Sequence, residues 1–260
     1  MLVDTHCHLH DRQFFTEDQA EKMLERAEKN GVEKIICIGT DINDSEAAQD
    51  FATEHSNVYW TYGTHPSETT FQNCEQDFKR HLEQLLKKQA EKLVAIGEVG
   101  LDYHEDNYDR IKQIRLFEEM LQLAQDKDLP VSFHVREAFE DFFAIIQNFP
   151  NIRGVVHSFT DSKKTLKKIL ENTNFYVGVN GLATYSTLPL PPLERIVLET
   201  DAPFLTPKPF RGIINESAYV RNIAEWLAEK NGVELKTIEE ETTKNASKIF
   251  QFSDSVLRTK

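Results

Sequence analysis

Short apolar runs alternate with amphipathic stretches along this chain, and the alternation repeats eight times. The runs that predict strands are Leu2 to His6, Lys34 to Ile38, Val58 to Gly63, Leu93 to Glu98, Pro130 to His134, Gly154 to His157, Phe175 to Val179 and Ile196 to Thr200. Between them apolar positions recur with helical period. Glu17 to Asn30 is one such stretch, stopped by Gly31. Tyr108 to Lys127 is another, with Leu116, Met120, Leu123 and Ala124 along one stripe. Strict strand–helix alternation predicts right-handed βαβ units and a parallel sheet. Eight units predict closure into a (β/α)8 TIM barrel of the α/β class, a single domain over 1–260. Leu188 to Pro192 is too proline-rich for a regular helix, so the helix after strand seven is expected to be shortened or missing. Glu216 to Phe252 predicts two extra C-terminal helices parted by Gly232, with Ile223, Trp226, Leu227, Ile249 and Phe250 packed on the barrel.

Composition narrows the partners more than the fold. A net charge of −13 argues against broad adhesion to nucleic acid, which needs a basic surface, but not against gripping a few phosphates through metal ions. No apolar stretch approaches the ~18 residues of a membrane span, and no basic-then-apolar leader opens the chain. A cytoplasmic protein without membrane contact is expected. The three cysteines, Cys7, Cys37 and Cys74, form no metal-finger spacing and leave an odd number, so reduced thiols are expected. Strand alternation turns Cys7 away from its histidine neighbours.

The chemistry collects where the strands end. Residues two apart on a strand share a face, so His6 and His8 present two imidazoles to one side, half of a metal site. Glu98, His134, His157 and Asp201 follow at the ends of strands four, five, six and eight. In a parallel barrel all these ends open on one mouth, where catalytic groups gather. Four histidines and two carboxylates are too many for one tetrahedral centre and suit two divalent ions sharing a carboxylate. Imidazole and carboxylate ligands accept Zn²⁺, Mn²⁺, Ni²⁺ or Fe²⁺. Arg136, two residues beyond His134, could fork onto a phosphate, with a salt bridge to Glu137 as the alternative. His10, His55 and His81 are expected at the surface.

The ordered set Asp4-Thr5-His6-Cys7-His8, Gly63-Thr64-His65-Pro66, Gly97-Glu98-Val99-Gly100-Leu101-Asp102, His134-Val135-Arg136-Glu137-Ala138, His157-Ser158-Phe159 and Glu199-Thr200-Asp201-Ala202-Pro203 resembles the TatD family of metal-dependent deoxyribonucleases, within the amidohydrolase-like barrels. The resemblance spans nearly the whole chain. It implies one metal held by His6, His8, Glu98 and Asp201, and another by Glu98, His134 and His157, with Mg²⁺ as the working ion. It places His65 near the scissile phosphate, with a supporting role as the alternative, and makes Arg211 a phosphate contact in a loop braced by Asn215 and Glu216. Ser217 stands where the family usually has proline, a change expected to loosen that loop. No lysine ends strand four, five or six, which disfavours the carbamylated-lysine bridge of phosphotriesterases.

The expected activity is exonucleolytic hydrolysis of DNA from strand ends, single strands above all, by a water activated between two metals. Asp201 and Glu98 are the expected catalytic residues, with Asp201 taking the proton. The same ions would also serve hydrolysis of another ester, such as an aminoacyl-tRNA ester. A non-catalytic metal-binding interaction protein is the reading from a different class. The chain sets no oligomeric state, and a monomer is compatible with all of these. His104 answers to no ligand position.

Overall fold

The computed structural model describes residues 1–68, 75–89, 92–104 and 106–252, and Cys74 lies outside them. Eight strands make one parallel sheet in chain order: β1 (Leu2–Cys7), β2 (Val32–Cys37), β3 (Val58–Tyr62), β4 (Leu93–Asp102), β5 (Val131–Arg136), β6 (Gly154–Val156), β7 (Tyr176–Val179) and β8 (Ile196–Leu198). The sheet closes past the end of β8, where Cys7 bridges Ala202 and the Asp201 amide donates to the His6 carbonyl at 2.8 Å. The expected TIM barrel is the fold found.

Helices α1 (Glu17–Lys29), α2 (Ile42–Glu54), α3 (Glu75–Gln89), α4 (Arg110–Lys127), α5 (Phe139–Ile146) and α6 (Lys163–Asn172) fill the first six crossovers. Their limits follow local chemistry. Thr16 and Gln19 form a reciprocal cap at the start of α1, and Gly31, at φ +78°, turns the chain into β2. Only two short 3₁₀ turns, Gly181–Tyr185 and Leu193–Arg195, occupy the seventh crossover, so the helix expected to be shortened or missing is absent there. The tail supplies α7 (Val220–Asn231) and α8 (Leu235–Phe250), with Gly232 in the left-handed conformation that ends α7.

Two apolar layers result from strand alternation. The larger lies between strands and helices and includes Cys7, which faces this layer as expected. The smaller fills the barrel: Val3, Ile36, Tyr59, Val94, Val155, Tyr176 and Val197 point inward and meet Ala246, Ile249 and Phe250 of α8. Asn245 of α8 donates to the Leu193 and Ile196 carbonyls at 2.9 and 2.8 Å, so α8 closes the end where β8 begins. The opposite end is left open for the polar side chains.

Candidate metal centre at the mouth of the barrel

Each expected ligand is delivered by a strand end, with one difference in detail. β4 does not stop at Glu98 but runs on to Asp102, pairing with β5 as far as Arg136. Its register with β5 shifts between Ile96 and Val99, so Glu98 sits at an irregularity within the strand. Gly100, at φ +154°, permits the continuation, since a Cβ there would meet the His134 carbonyl oxygen at 1.9 Å. Asp201 is held at φ +58° beyond β8, a sparsely populated conformation for a residue with a Cβ, and one that accumulates at functional sites.

The structure brings all six residues together. His6 Nε2 lies 3.4 Å from Glu98 Oε2 and 3.6 Å from Asp201 Oδ1, and His8 Nε2 lies 3.5 Å from the same Asp201 oxygen. His134 Nδ1 is 2.6 Å from Glu98 Oε1, and His157 Nε2 is 3.8 Å from it. His6 and His157 stack with centroids 3.5 Å apart. Ligand atoms of His6, Glu98 and His157 lie mutually within 4.8 Å, as do those of His6, His8 and Asp201, and those of His65, Asp102 and His134. His134 thus groups with His65 and Asp102 rather than with His157, while Glu98, grouped with His6 and His157, also lies 2.6 Å from His134.

Electrostatics make this mouth a place that needs positive charge. Burial opposes ionisation of Glu98, yet the facing His157 and the hydrogen bond from His134 hold it well below the usual carboxylate range. Asp201 is lowered likewise, burial being outweighed by His8 and His157. Burial would depress His157 and His134, but Glu199 and Glu98 lift the first to about 10, and Asp102 and Glu98 lift the second to about 9. His6 goes the other way, kept neutral by burial and by His157 beside it. Both of its ring nitrogens are buried and lack a hydrogen-bond partner. A neutral imidazole with a free lone pair, facing two ionised carboxylates, fits a divalent cation; an unsatisfied buried nitrogen otherwise costs about 1–3 kcal/mol.

Some expected residues stand apart from the cleft. His65 lines it: its Nδ1 takes the Ser67 amide at 3.2 Å, its Nε2 sits 3.3 Å from His134 Nδ1, and burial lowers it to about 4. It is therefore neutral at pH 7. Arg136 is exposed at the end of β5 and is not among the residues lining the cleft. Its alternative partner Glu137 pairs instead with His104, at 2.6 Å. Arg211 is exposed and lies over the Tyr185 ring, 5.6 Å from its centroid. Asn215 and Glu216 do brace their loop. Asn215 donates to the Thr200 and Phe204 carbonyls, and the Glu216 carboxylate accepts from Arg26 Nε at 2.9 Å. Ser217 is fully buried, so the position that lacks proline is packed rather than loose.

Three groups escaped the sequence reading. Asp102 Oδ2 accepts from His134 Nε2 at 2.9 Å, and Glu199 Oε1 lies 3.1 Å from His157 Nδ1. Such carboxylates fix the tautomer and aim of an imidazole whose other nitrogen faces a metal. Gly178 leaves Glu199 its space, since a Cβ there would lie 2.1 Å from Oε2. Their places inside the motifs Gly97 to Asp102 and Glu199 to Pro203 were the available signal. His10 is the third and a correction. Instead of lying at the surface it is 2% exposed, with Nε2 2.9 Å from Asp44, which lifts it to about 10 against the effect of burial.

Known proteins share this sequence pattern and this fold. The sequence profile of the family described as "TatD related DNase" matches residues 3–251. The metal-dependent hydrolase YabD of Bacillus subtilis is 35% identical, over 97% of this chain and 100% of its own length. The 3'-5' ssDNA/RNA exonuclease TatD of Pantoea ananatis is 32% identical, over 88% of this chain and 92% of its own. Among solved structures, YjjV, a TatD homologue of Escherichia coli, superposes with a TM-score of 0.86 at 27% identity, covering 97% of this chain and 98% of its own. The chain belongs to the TatD family of metal-dependent hydrolases.

Proposed function

We propose that this hydrolase cleaves phosphodiester bonds of nucleic acid from strand ends, with single-stranded DNA preferred. The observation that carries the reading is the buried, unpartnered His6 facing Glu98 and Asp201, two ionised carboxylates that line an open cleft of about 380 Å³. Names of relatives such as the Pantoea exonuclease support the substrate class.

His6, His8 and Asp201 would hold one divalent ion, His134 and His157 the other, and Glu98 would belong to both, with Mg²⁺ the proposed working ion. Such ions, when bound, lower the pKa of water and neutralise phosphate charge. Asp201, ionised and turned into the cleft, is the group to take the proton of the attacking water. Neutral His65, in the tautomer whose Nδ1 accepts from the Ser67 amide and hydroxyl, would carry its proton on Nε2 and donate it to a phosphate oxygen. Asp102 and Glu199 keep the imidazoles of His134 and His157 aimed. Arg136 and Arg211, outside the cleft lining, would meet phosphates of the strand beyond the reacting one. No helix among the described residues is long and apolar enough to cross a membrane, and a cytoplasmic location is proposed with the activity.

With few basic groups near the mouth, only one or two phosphates would be neutralised by side chains, and affinity would fall by about 0.7 log unit per neutralised phosphate per log unit of salt. The test is product analysis with metal-reconstituted protein on strands labelled separately at each end, on duplexes, on closed circles, and on phosphotriester and aminoacyl-ester substrates. Mononucleotides released progressively from one end support the reading. Cutting of closed circles, or turnover confined to another ester, overturns it.

A further inference from the structure

At the rim of the cleft two phenylalanines stand in water. Phe14, in the turn between β1 and α1, is 46% exposed, and Phe204, in the loop after β8, is 47% exposed. Their rings meet edge to face with centroids 5.2 Å apart. Phe204 lies 6.4 Å from the His8 imidazole, and both phenylalanines line the cleft with Glu98, His134, His157 and Asp201.

Single exposed apolar residues are ordinary, but this pair is held in place. Phe15 does the burying for its turn, at 1% exposed, and leaves Phe14 to project. Phe204 is flanked by Asp201 and Leu205, both at positive φ, its amide donates to the Asp201 carbonyl at 2.8 Å, and its carbonyl is gripped by Asn215. The loop therefore fixes an aromatic ring beside the acidic and imidazole cluster without using it in the core.

We propose that Phe14 and Phe204 form a stacking platform for the nucleobase of the nucleotide whose phosphate sits at the metal centre, an inference that rests on the phosphodiesterase reading above. The occupant must carry an anionic group for the ions and, within one residue of it, a flat apolar surface for the rings. A nucleotide has both. The charge of −13 adds a reason: with so little basic surface, phosphate contacts alone hold a strand weakly, and stacking supplies affinity that salt does not screen. Every base has a π-face, so the platform tolerates any sequence.

Calorimetric titration of the metal-loaded protein with 2'-deoxynucleoside 5'-monophosphates and with 2-deoxyribose 5-phosphate, which lacks the base, tests this. The parent should bind the nucleotides about 5- to 100-fold more tightly than the sugar phosphate. The double variant Phe14→Ala, Phe204→Ala should lose that preference while keeping its affinity for the sugar phosphate and its unfolding midpoint. Phe204→Tyr, which keeps a ring face, should retain the preference. Equal affinities in the parent, or a preference that survives in the double variant, overturn the platform. A preference that depends on the two rings, in a protein that degrades no strand with any divalent ion, upholds the platform and removes the nuclease reading. Strand degradation without the preference removes the platform alone.

Discussion

The two ends of this barrel are built on opposite principles. At the end closed by α8, Val3, Ile36, Tyr59, Val94, Val155, Tyr176 and Val197 meet Ala246, Ile249 and Phe250, and the Leu193 and Ile196 carbonyls are taken up by Asn245. At the mouth, Glu98, Asp201 and four histidines crowd together, His6 keeps two unpartnered nitrogens, and Asp201 and Ser158 adopt left-handed conformations. One end is arranged for stability, the other keeps costly buried charge and backbone strain where chemistry needs them. Substitutions at the two ends should therefore separate activity from stability.

The largest expected effect is at the mouth. Asp201→Asn keeps the size of the side chain but accepts no proton, so turnover should fall roughly 10³-fold, in the range that a positioned base contributes, with the unfolding midpoint unchanged or raised. Single-turnover rates at saturating metal check this; parity with the parent would remove Asp201 from its role. At the closed end the pattern should invert. Phe250→Ala empties part of the barrel floor and should cost about 3–5 kcal/mol of stability, read by denaturant unfolding, while turnover of the folded fraction at low temperature stays near the parent value. Loss of turnover in a variant that is still folded would show that the ends are not independent.

A smaller effect lies between them, at the His10–Asp44 pair. Asp44→Asn takes from the buried His10 one of the two groups, Asp44 and Cys37, that favour its charged form, and should cost roughly 3 kcal/mol in the middle of the pH range. The pH dependence has a definite sign. Asp44 is lowered to about 2 in the fold, its hydrogen bonds from His10 and Thr40 outweighing burial. Its contribution is therefore present above the unfolded value near 4 and lost as pH falls through about 2. His10 is raised to about 10, so its contribution is present below pH ~6.5 and lost as pH rises through about 10. The parent–variant difference in unfolding free energy should be greatest between about pH 4 and 6.5. A difference that does not vary with pH would remove the ion pair as its cause.

The barrel was legible because buried parallel strands read as nearly continuous apolar runs, and the six residues at the mouth because each stands at or just past the end of such a run. The missing seventh helix was equally legible in Leu188 to Pro192. What escaped depends on distant partners. Nothing near His10 announces Asp44, 34 residues away, and Asp102 and Glu199 gain their meaning only when β4 pairs with β5 and β8 closes the barrel. Arg136 shares a strand with His134, yet strand parity says nothing of how far a side chain beyond the rim stands from the cleft. In Phe14-Phe15 the sequence gives no sign of which ring is buried; the turn into α1 decides it.

In the proposed mechanism one buried carboxylate, Glu98, serves two ions at once. Counting metal per chain by plasma mass spectrometry after reconstitution, on the parent and on Glu98→Ala, tests it most directly. Two ions per parent chain are expected, and in the folded variant a marked loss of both together with turnover down by orders of magnitude. Two ions retained per variant chain with near-normal turnover would contradict it.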